Sequence, residues 1–184
     1  MKNWKVLSTE ELFKSGLFRL RSEKCELPDG RVMPRYYTFD FADWVQAVAV
    51  TKDGKMVMLT QYRHSAKTVC LEVPGGSMDP RTTEDAMGAA QRELLEETGY
   101  SSSNWKSLGF HYPNPALQSN RIHIFLALDC EKTAEPHLDP FEDLEVELLS
   151  VKDVYEKVHK GEVTHALILA TLLLAQPHLT GSSN

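Results

Sequence analysis

The sequence GGSMDPRTTEDAMGAAQRELLEETGY, residues 75–100, begins as a glycine loop and continues as a helix that carries Glu93, Glu96 and Glu97 close together. Side chains three and four residues apart face the same side of a helix, and each like-charged pair costs a few tenths of a kcal/mol. A positive group between the carboxylates would offset this repulsion. The simplest candidate is a bound cation.

The start of this helix is predicted from its polar residues. Thr83, or Thr82 beside it, is a suitable N-cap because its hydroxyl can accept a hydrogen bond from a free backbone N–H. Glu84 and Asp85 then fall in the first turn, where the helix dipole favours acidic side chains. We therefore expect the helix to begin directly after the threonines.

The helix is also predicted to have two different faces. Ala86, Ala90 and Leu94 recur every four residues and form an apolar edge that can pack on a sheet. Arg92 follows Glu84 by about two turns, so an ion pair between them can brace the helix. One side of the helix therefore packs, and the other presents carboxylates.

A carboxylate cluster without histidine or cysteine suits Mg²⁺ or Mn²⁺, because hard cations prefer oxygen ligands. Mg²⁺ typically completes its coordination with substrate phosphates, so a diphosphate substrate follows. The alternative for three glutamates alone is a solvated acidic helix face. The surrounding pattern has to decide between the two.

The composition limits the possible functions. The 184 residues, 42% hydrophobic and 25% charged, suffice for one sizeable core, so we predict one main domain with a small appendage. The formal net charge of −6 argues against a nucleic-acid partner, which would require a basic face. An acidic enzyme can still bind a phosphorylated small molecule through a metal ion.

The cysteines and apolar runs predict a cytoplasmic protein with no membrane partner. Cys25, Cys70 and Cys130 are widely spaced and contain no CxxC pair, which is typical of reduced, buried thiols. The N-terminal sequence has no long apolar segment. The strongest apolar run, HALILATLLLA at residues 165–175, is too short to cross a bilayer.

Turn signals predict the order of the elements. The sequence Pro28-Asp29-Gly30 separates two β-prone runs within residues 18–41, and Asp53-Gly54 separates two more within residues 44–65, so two hairpins are expected. After the helix we predict strand, proline-containing loop and strand over residues 107–130, then a polar loop and a strand at 144–151. Two helices broken near Gly161 end the chain.

The spacing of the acidic cluster resembles a known signature. Glu84 is followed after seven residues by Arg92-Glu93-Leu94, then after one residue by Glu96-Glu97, and after another by Gly99-Tyr100. This pattern resembles the Nudix box of hydrolases that cleave nucleoside diphosphates linked to another group. Seven residues separate Gly76 from Glu84 where the family pattern has five, which indicates a loop lengthened by two residues around 78–81.

The resemblance extends to the ADP-ribose and nucleotide-sugar branch of that family. It is carried by residues 43–65, by LEVPGG at 71–76, by Pro115 and by THALILATLLLA at 164–175. It implies an α/β fold, an α/β/α sandwich on a mixed sheet, with a small N-terminal antiparallel β unit that often exchanges contacts across a homodimer. We expect the N-terminal unit at 1–42, the Nudix domain at 43–178 and a flexible tail at 179–184.

The resemblance also implies the metal ligands. Glu93 and Glu97 would be the principal ligands of Mg²⁺, or of Mn²⁺, and Glu96 a further ligand or a water-mediated partner. The Gly75 carbonyl would supply another oxygen. In this family water attacks one phosphorus while divalent ions polarise the phosphoryl oxygens. The products would be a nucleoside monophosphate and a sugar phosphate.

The general base is expected in the loop before the late strand, LDPFEDLEV at residues 138–146. Relatives that cleave ADP-ribose commonly carry a catalytic glutamate there, and Glu142 stands at the comparable place. Glu145 is the next candidate, and Asp139 and Asp143 remain open. A carboxylate within hydrogen-bond reach of a metal-bound water can complete its activation.

Substrate contacts are inferred from the same resemblance. Arg63 matches a diphosphate contact, for which a guanidinium is suited because it binds phosphate through two hydrogen bonds. Trp44 is a candidate for stacking on the nucleobase, with a core position as the alternative. Glu72 is expected to hold the substrate's terminal moiety or to brace the loop. Gln118 and Arg121 lie where the familiar ADP-ribose pattern has an acid, which favours a different sugar or base environment.

We therefore predict a Mg²⁺-dependent hydrolase of nucleoside diphosphate sugars, with ADP-ribose and ADP-, GDP- or UDP-linked sugars as substrates. A Nudix hydrolase of dinucleoside polyphosphates or coenzyme-type diphosphates is an alternative that the same box allows. A non-catalytic nucleotide sensor is the third hypothesis. It is less favoured because every metal-binding glutamate is present.

Overall fold

The computed structural model describes residues 2–179, which form eleven strands and three helices. The chain divides into two compact units: residues up to Asp43 with His111–Ile122, and Trp44–Phe110 with residues from His123 onward. The strands are β1 (Lys5–Lys14), β2 (Phe18–Glu26), β3 (Val32–Phe41), β4 (Trp44–Thr51), β5 (Lys55–Arg63), β6 (Thr68–Glu72), β7 (Gly75–Ser77), β8 (Tyr100–Ser101), β9 (Asn104–His111), β10 (Ile122–Lys132) and β11 (Leu144–Ser150). The helices are α1 (Ala86–Thr98), α2 (Val151–His159) and α3 (Ala166–Leu179).

The first unit contains an antiparallel sheet in the order β1-β2-β3. The hairpin predicted at residues 28–30 is confirmed as the β2–β3 connection, where Gly30 has φ 86° and its N–H donates to the Leu27 carbonyl at 2.9 Å. Strand β1 is an addition to the predicted hairpin. Its sequence KVLSTEELFK is exposed along its whole length and lacks the apolar alternation that marks a half-buried strand.

The segment His111–Ile122 belongs to the first unit because backbone hydrogen bonds tie it to β3. The Phe39 N–H donates to the Leu117 carbonyl at 2.7 Å, and the Ser119 N–H donates to the Phe39 carbonyl at 3.2 Å. This segment lies within the Nudix domain predicted at 43–178, and the predicted domain boundaries stay predictions. Of the tail expected at 179–184, Leu179 ends α3 and the other residues lie outside the described range.

The second unit is built on a sheet in the order β11-β5-β4-β10-β8, with β6 on β5, β7 on β4 and β9 on β10. The hairpin predicted around Asp53-Gly54 is confirmed as the antiparallel β4–β5 pair. Gly54 has φ 77° and donates to the Thr51 carbonyl at 3.0 Å. The pairing of β7 with β4 places the glycine loop beside the middle of the sheet.

Helices cover both faces of this sheet. Successive strand residues point to opposite sides, and neighbouring residues of β4 and β5 are apolar, so both faces need a partner to pack against. Val48 and Met56 pack with Ile168 of α3 on one face. Ala49 and Val57 pack with Leu94 of α1 on the other. The predicted α/β class with a mixed sheet and a small N-terminal antiparallel sheet is confirmed.

The C-terminal helices follow the prediction. Helix α2 ends at His159, Gly161 has φ 73° and α3 begins at Ala166. None of the helices within residues 2–179 is both long enough and apolar enough to cross a bilayer. The three cysteines are free and buried, as predicted for small apolar side chains.

Candidate active site

Helix α1 begins at Ala86, later than predicted. Asp85 is the N-cap, and its carboxylate accepts a hydrogen bond from the Gly88 N–H at 2.7 Å. The predicted threonine caps are wrong, because the hydroxyl and N–H of Thr82 both bind the Asp79 carbonyl in the preceding turn. Glu84 therefore lies before the helix and not in its first turn.

Arg92 is the positive group that allows the carboxylates to lie close together. Its Nη1 lies 2.9 Å from Glu93 Oε1 and 2.8 Å from Glu96 Oε2, and its Nε donates to Glu84 Oε2 at 3.2 Å. Partial burial lowers the pKa of Arg92, but these hydrogen bonds and charges outweigh it and raise that pKa. The predicted Glu84–Arg92 brace is confirmed, and the arginine also neutralises part of the acidic cluster.

Glu97 is the most deeply buried member of the cluster, with 6% of its surface exposed. The Gly75 N–H donates to Glu97 Oε2 at 2.8 Å. Burial raises the pKa of Glu97 to about 8, and the charges of Glu93 and Glu142 add to the rise, while the Gly75 hydrogen bond opposes it. The structure therefore joins Gly75 to the cluster through its N–H, and the predicted role of its carbonyl stays a prediction.

The glycine loop is shaped around Glu93. A Cβ on Gly76 would lie 2.7 Å from the Glu93 carboxyl carbon, and a Cβ on Gly75 would lie 2.2 Å from the Val45 carbonyl oxygen. A side chain at Gly75 would therefore push against backbone, whereas a side chain at Gly76 would displace the Glu93 carboxylate. Burial also raises the pKa of Glu93 above its ordinary value, although Arg92 opposes it.

The donor set fits a hard divalent cation, because the burial of Glu97 and the partial burial of Glu93 disfavour their charges without a compensating partner. Their side chains are not preassembled, however. Within residues 2–179, no three histidine, cysteine, aspartate or glutamate side chains are placed together as a metal site. Glu93 and Glu96 contact Arg92 and Glu97 contacts Gly75, so ion binding requires these carboxylates to turn.

Glu142 faces the acidic cluster from the loop before β11. Its carboxylate accepts a hydrogen bond from the Asp139 N–H at 2.9 Å, and its own N–H donates to the Asp139 carbonyl at 2.9 Å. Its negative charge contributes to the raised pKa values of Glu93 and Glu97. Two reciprocal hydrogen bonds therefore hold the predicted base in a turn near the candidate metal ligands.

The alternative bases are placed differently. Glu145 pairs with Thr60 in register, next to Val146, which packs in the same cluster as Leu94 of α1. Because neighbouring strand residues point to opposite faces, Glu145 lies on the face away from α1. Asp139 and Asp143 are exposed. The structure thus favours Glu142 among these acids, and its role as base stays a prediction.

Arg63 and Glu72 form a tight pair on the α1 side of the sheet. Arg63 Nε donates to Glu72 Oε1 at 2.7 Å, and its Nη2 contacts Oε2. The positive charge of Arg63 lowers the pKa of Glu97, so the pair lies near the cluster. His165 Nδ1 lies 3.2 Å from the same Glu72 Oε1. Sequence reasoning missed His165, because its position before the last helix gave no signal of this contact.

The other predicted substrate contacts are on strand β4 and in the segment His111–Ile122. Trp44 alternates with Val45 and shares a strand face with Gln46, which contacts Thr171 of α3. Trp44 is therefore on the α3 side of β4. Gln118 and Arg121 belong to the first unit, where the Arg121 N–H donates to Asp43 Oδ1 at 2.8 Å. The substrate-binding roles of these three residues stay predictions.

The fold and the cluster define an α/β sandwich in which a glycine loop meets a helix of buried carboxylates. A family model described as NUDIX domain matches residues 42–172, which is most of the chain. A second model, described as nucleoside diphosphate sugar hydrolase N-terminal domain, matches residues 4–38. The chain belongs to the Nudix hydrolase family, as predicted, and members of this family generally use divalent metal cations.

Individual relatives agree with this assignment. The chain is 30% identical over 163 residues to an ADP-ribose pyrophosphatase of Bacillus subtilis (strain 168), covering 88% of this chain and 86% of that protein. It is 26% identical over 180 residues to an ADP-ribose pyrophosphatase of Mycobacterium tuberculosis (strain ATCC 25618 / H37Rv), covering 97% and 86%. A crystal structure of an ADP compounds hydrolase has the same fold, with a TM-score of 0.84 at 21% identity over 100% of this chain and 97% of that one.

Proposed function

We propose that this protein hydrolyses the diphosphate bond of nucleoside diphosphate sugars of the ADP-ribose type, giving a nucleoside monophosphate and a sugar phosphate. The observation that carries the proposal is the buried Glu97 carboxylate with the partly buried Glu93 carboxylate beside the glycine loop, within a matched Nudix domain. The match of residues 4–38 to the N-terminal domain of nucleoside diphosphate sugar hydrolases supports the substrate class. Two relatives named ADP-ribose pyrophosphatase support it further.

Glu93, Glu96 and Glu97 would hold Mg²⁺ or Mn²⁺, with the Gly75 carbonyl as a further donor. When bound, the metal supplies charge stabilisation at the phosphoryl oxygens. Before a metal binds, the Gly75 N–H holds the Glu97 carboxylate beside the glycine loop, and metal binding would turn the carboxylate from this position. Before a metal ion binds, Arg92 limits the repulsion between the carboxylates of Glu93 and Glu96.

Glu142 would accept a proton from the attacking water, and its turn with Asp139 fixes its backbone for that task. Arg63 would bind the diphosphate. Its pair with Glu72 uses Nε and Nη2 and leaves Nη1 outside the pair. Glu72 would orient the guanidinium, and its two predicted roles, holding the substrate's terminal moiety or bracing the loop, stay predictions. We retain Trp44, Gln118 and Arg121 as candidate contacts to the base or sugar.

We further propose that the protein acts as a homodimer in the cytoplasm. Strand β1 is an edge strand of the first sheet, and Val6, Leu12 and Phe13 on it are at least 44% exposed. An exposed edge with apolar side chains favours pairing with another chain. Free cysteines, all three of them buried, are typical of a reducing compartment.

The test is incubation of the purified protein with Mg²⁺ and a panel of ADP-ribose, ADP-, GDP- and UDP-sugars and dinucleoside polyphosphates, with products identified by mass. A nucleoside monophosphate and a sugar phosphate are expected. Glu97→Gln should lower kcat about 100-fold or more, because it removes a charged ligand and retains its size. Glu156→Gln, at an exposed position of α2, is the matched control and should have wild-type activity.

Cleavage of dinucleoside polyphosphates alone would place the protein in the alternative substrate class of the same family. Binding of nucleotide sugars without Mg²⁺-dependent turnover would instead support a non-catalytic sensor. Near-wild-type Mg²⁺-dependent activity of Glu97→Gln would refute the assignment of the metal site.

A further inference from the structure

The Arg63–Glu72 pair has a third member that the proposed mechanism does not use. Glu72 is 3% exposed, and both its oxygens contact Arg63. His165 Nδ1 lies 3.2 Å from Glu72 Oε1, the oxygen that also accepts from Arg63 Nε at 2.7 Å. A buried carboxylate therefore joins the guanidinium on one side to the imidazole on the other.

The backbone fixes His165 at the start of α3. The Ile168 and Leu169 N–H groups donate to the His165 carbonyl at 3.0 and 3.1 Å, which is the pattern of a first helical turn. Helix α3 is anchored in the core through Ile168, which is fully buried. The imidazole is thus attached to a rigid element, whereas Arg63 is the last residue of β5 and has a half-exposed side chain.

The buried Nδ1 atom of His165 has no well-aligned hydrogen-bond partner within the described residues, and the structure places the Glu72 carboxylate 3.2 Å from it. A buried polar atom favours any partner that satisfies it. A carboxylate held from two sides loses rotational freedom, and the arginine that it binds is held more firmly in turn.

We propose that His165 is a positioning residue that holds Glu72 and thereby aims the Arg63 guanidinium at the diphosphate. The proposal rests on the proposed function for the identity of the ligand, but the contact itself belongs to this structure. Arg63 binds the diphosphate equally in the ground state and in the transition state. A guanidinium that is held less firmly therefore raises KM and leaves kcat nearly unchanged.

The first experiment compares His165→Ala, His165→Asn and Thr164→Ala in steady-state kinetics with the best nucleotide sugar. We expect His165→Ala to raise KM roughly 3- to 10-fold, as for the loss of one hydrogen bond, with kcat within about 2-fold of wild type. The amide nitrogen of asparagine is two bonds from Cβ, as Nδ1 of histidine is. We therefore expect KM of His165→Asn to be much closer to the wild-type value than KM of His165→Ala. Thr164→Ala is the matched control. The Thr164 hydroxyl lies 3.9 Å from the sulfur of Cys70, which is on β6 together with Glu72, so this variant changes a neighbouring contact and leaves the His165–Glu72 contact in place.

A double-mutant cycle separates positioning from a general structural role. In a Glu72→Gln background, His165→Ala should raise KM less than about 1.5-fold further, because the connection to Arg63 is already broken. An undiminished effect of His165→Ala in that background would overturn the proposal. An equal rise in KM for Thr164→Ala, or no recovery in His165→Asn, would overturn it as well.

A readout that does not depend on turnover keeps this test separate from the proposed function. The ¹⁵N NMR signal of the Arg63 Nε–H should be protected from solvent exchange in the wild type, His165→Asn and Thr164→Ala. It should exchange faster in His165→Ala. An unchanged Arg63 signal in His165→Ala would overturn the positioning role, whereas a wild-type protein that cleaves no nucleotide sugar would overturn only the proposed function.

Discussion

Replacing Gly76 with alanine should impair catalysis while leaving the fold intact. The new Cβ would lie 2.7 Å from the Glu93 carboxyl carbon, whereas ordinary contacts begin at 3.4 Å. The carboxylate must therefore move by about 0.7 Å. Because the clash is with the end of a flexible side chain, the helix and sheet need not shift, and we expect the free energy of unfolding to change by less than about 1 kcal/mol.

The catalytic cost follows from the same displacement. A misplacement of about 1 Å in an active site can lower the rate about 100-fold, so we expect kcat/KM of Gly76→Ala to fall about 10- to 100-fold. That range corresponds to roughly 1.4 to 2.7 kcal/mol of lost transition-state stabilisation. The Mg²⁺ concentration for half-maximal activity should rise, since Glu93 is a candidate ligand.

Gly75→Ala is the comparison that tests this reasoning. Its Cβ would lie 2.2 Å from the Val45 carbonyl oxygen, which is backbone and cannot turn away, so β7 must separate from β4 and the melting temperature should fall by several degrees. The assay is kcat/KM by product formation, with thermal unfolding of both variants. Wild-type kcat/KM and Mg²⁺ dependence in Gly76→Ala would refute the argument, as would equal destabilisation by the two variants.

Three further outcomes are expected. Glu142→Gln should lower kcat about 100-fold or more with little change in Tm, and unchanged turnover in a rate assay would move the search for a base to Glu145. Gly99→Ala should lower Tm by several degrees in a thermal scan, because Gly99 has φ 74° and a Cβ there would lie 2.1 Å from the Ala134 carbonyl oxygen; an unchanged Tm would contradict this. Burial raises the pKa of Glu72, but the contacts with Arg63 and His165 outweigh it, so the folded pKa lies below the ordinary 4.5. The stabilisation from Glu72 is present above pH 4.5 and is lost as pH falls through the folded pKa, so urea unfolding should show a stability gap between wild type and Glu72→Gln at pH 7 that narrows as the pH falls below 4.5. A gap that widens in acid would contradict the pairing.

Local signals in the sequence predicted the elements that they directly encode. Pro28-Asp29-Gly30 and Asp53-Gly54 marked both hairpins, since such residues adopt the backbone conformations that tight turns require. The spacing of Glu84 and Arg92 predicted their ion pair, although Glu84 lies just before α1 and not within it. These features depend on residues close together in the chain.

The features that escaped prediction depend on longer-range or competing contacts. Thr82 has the right chemistry for a cap, but Asp79 recruits it into the preceding turn, and Asp85 takes the capping position. Strand β1 is stabilised by pairing with β2, not by an apolar pattern of its own. The contact of His165 with Glu72 joins residues far apart in sequence, which no local spacing reveals.

The loop between β10 and β11 limits how far the candidate base can move. The His137 N–H donates to the Glu96 carbonyl at 2.7 Å, so one end of the loop is pinned to the helix that carries the carboxylate cluster. The other end enters β11 at Leu144, two residues after Glu142. At about 3.5 Å per residue, the Glu142 Cα can move within a radius of about 7 Å around Leu144 and no further. The short connection to β11 therefore limits the distance that can open between Glu142 and α1. This distance sets an upper limit on the size of a substrate that can lie between them.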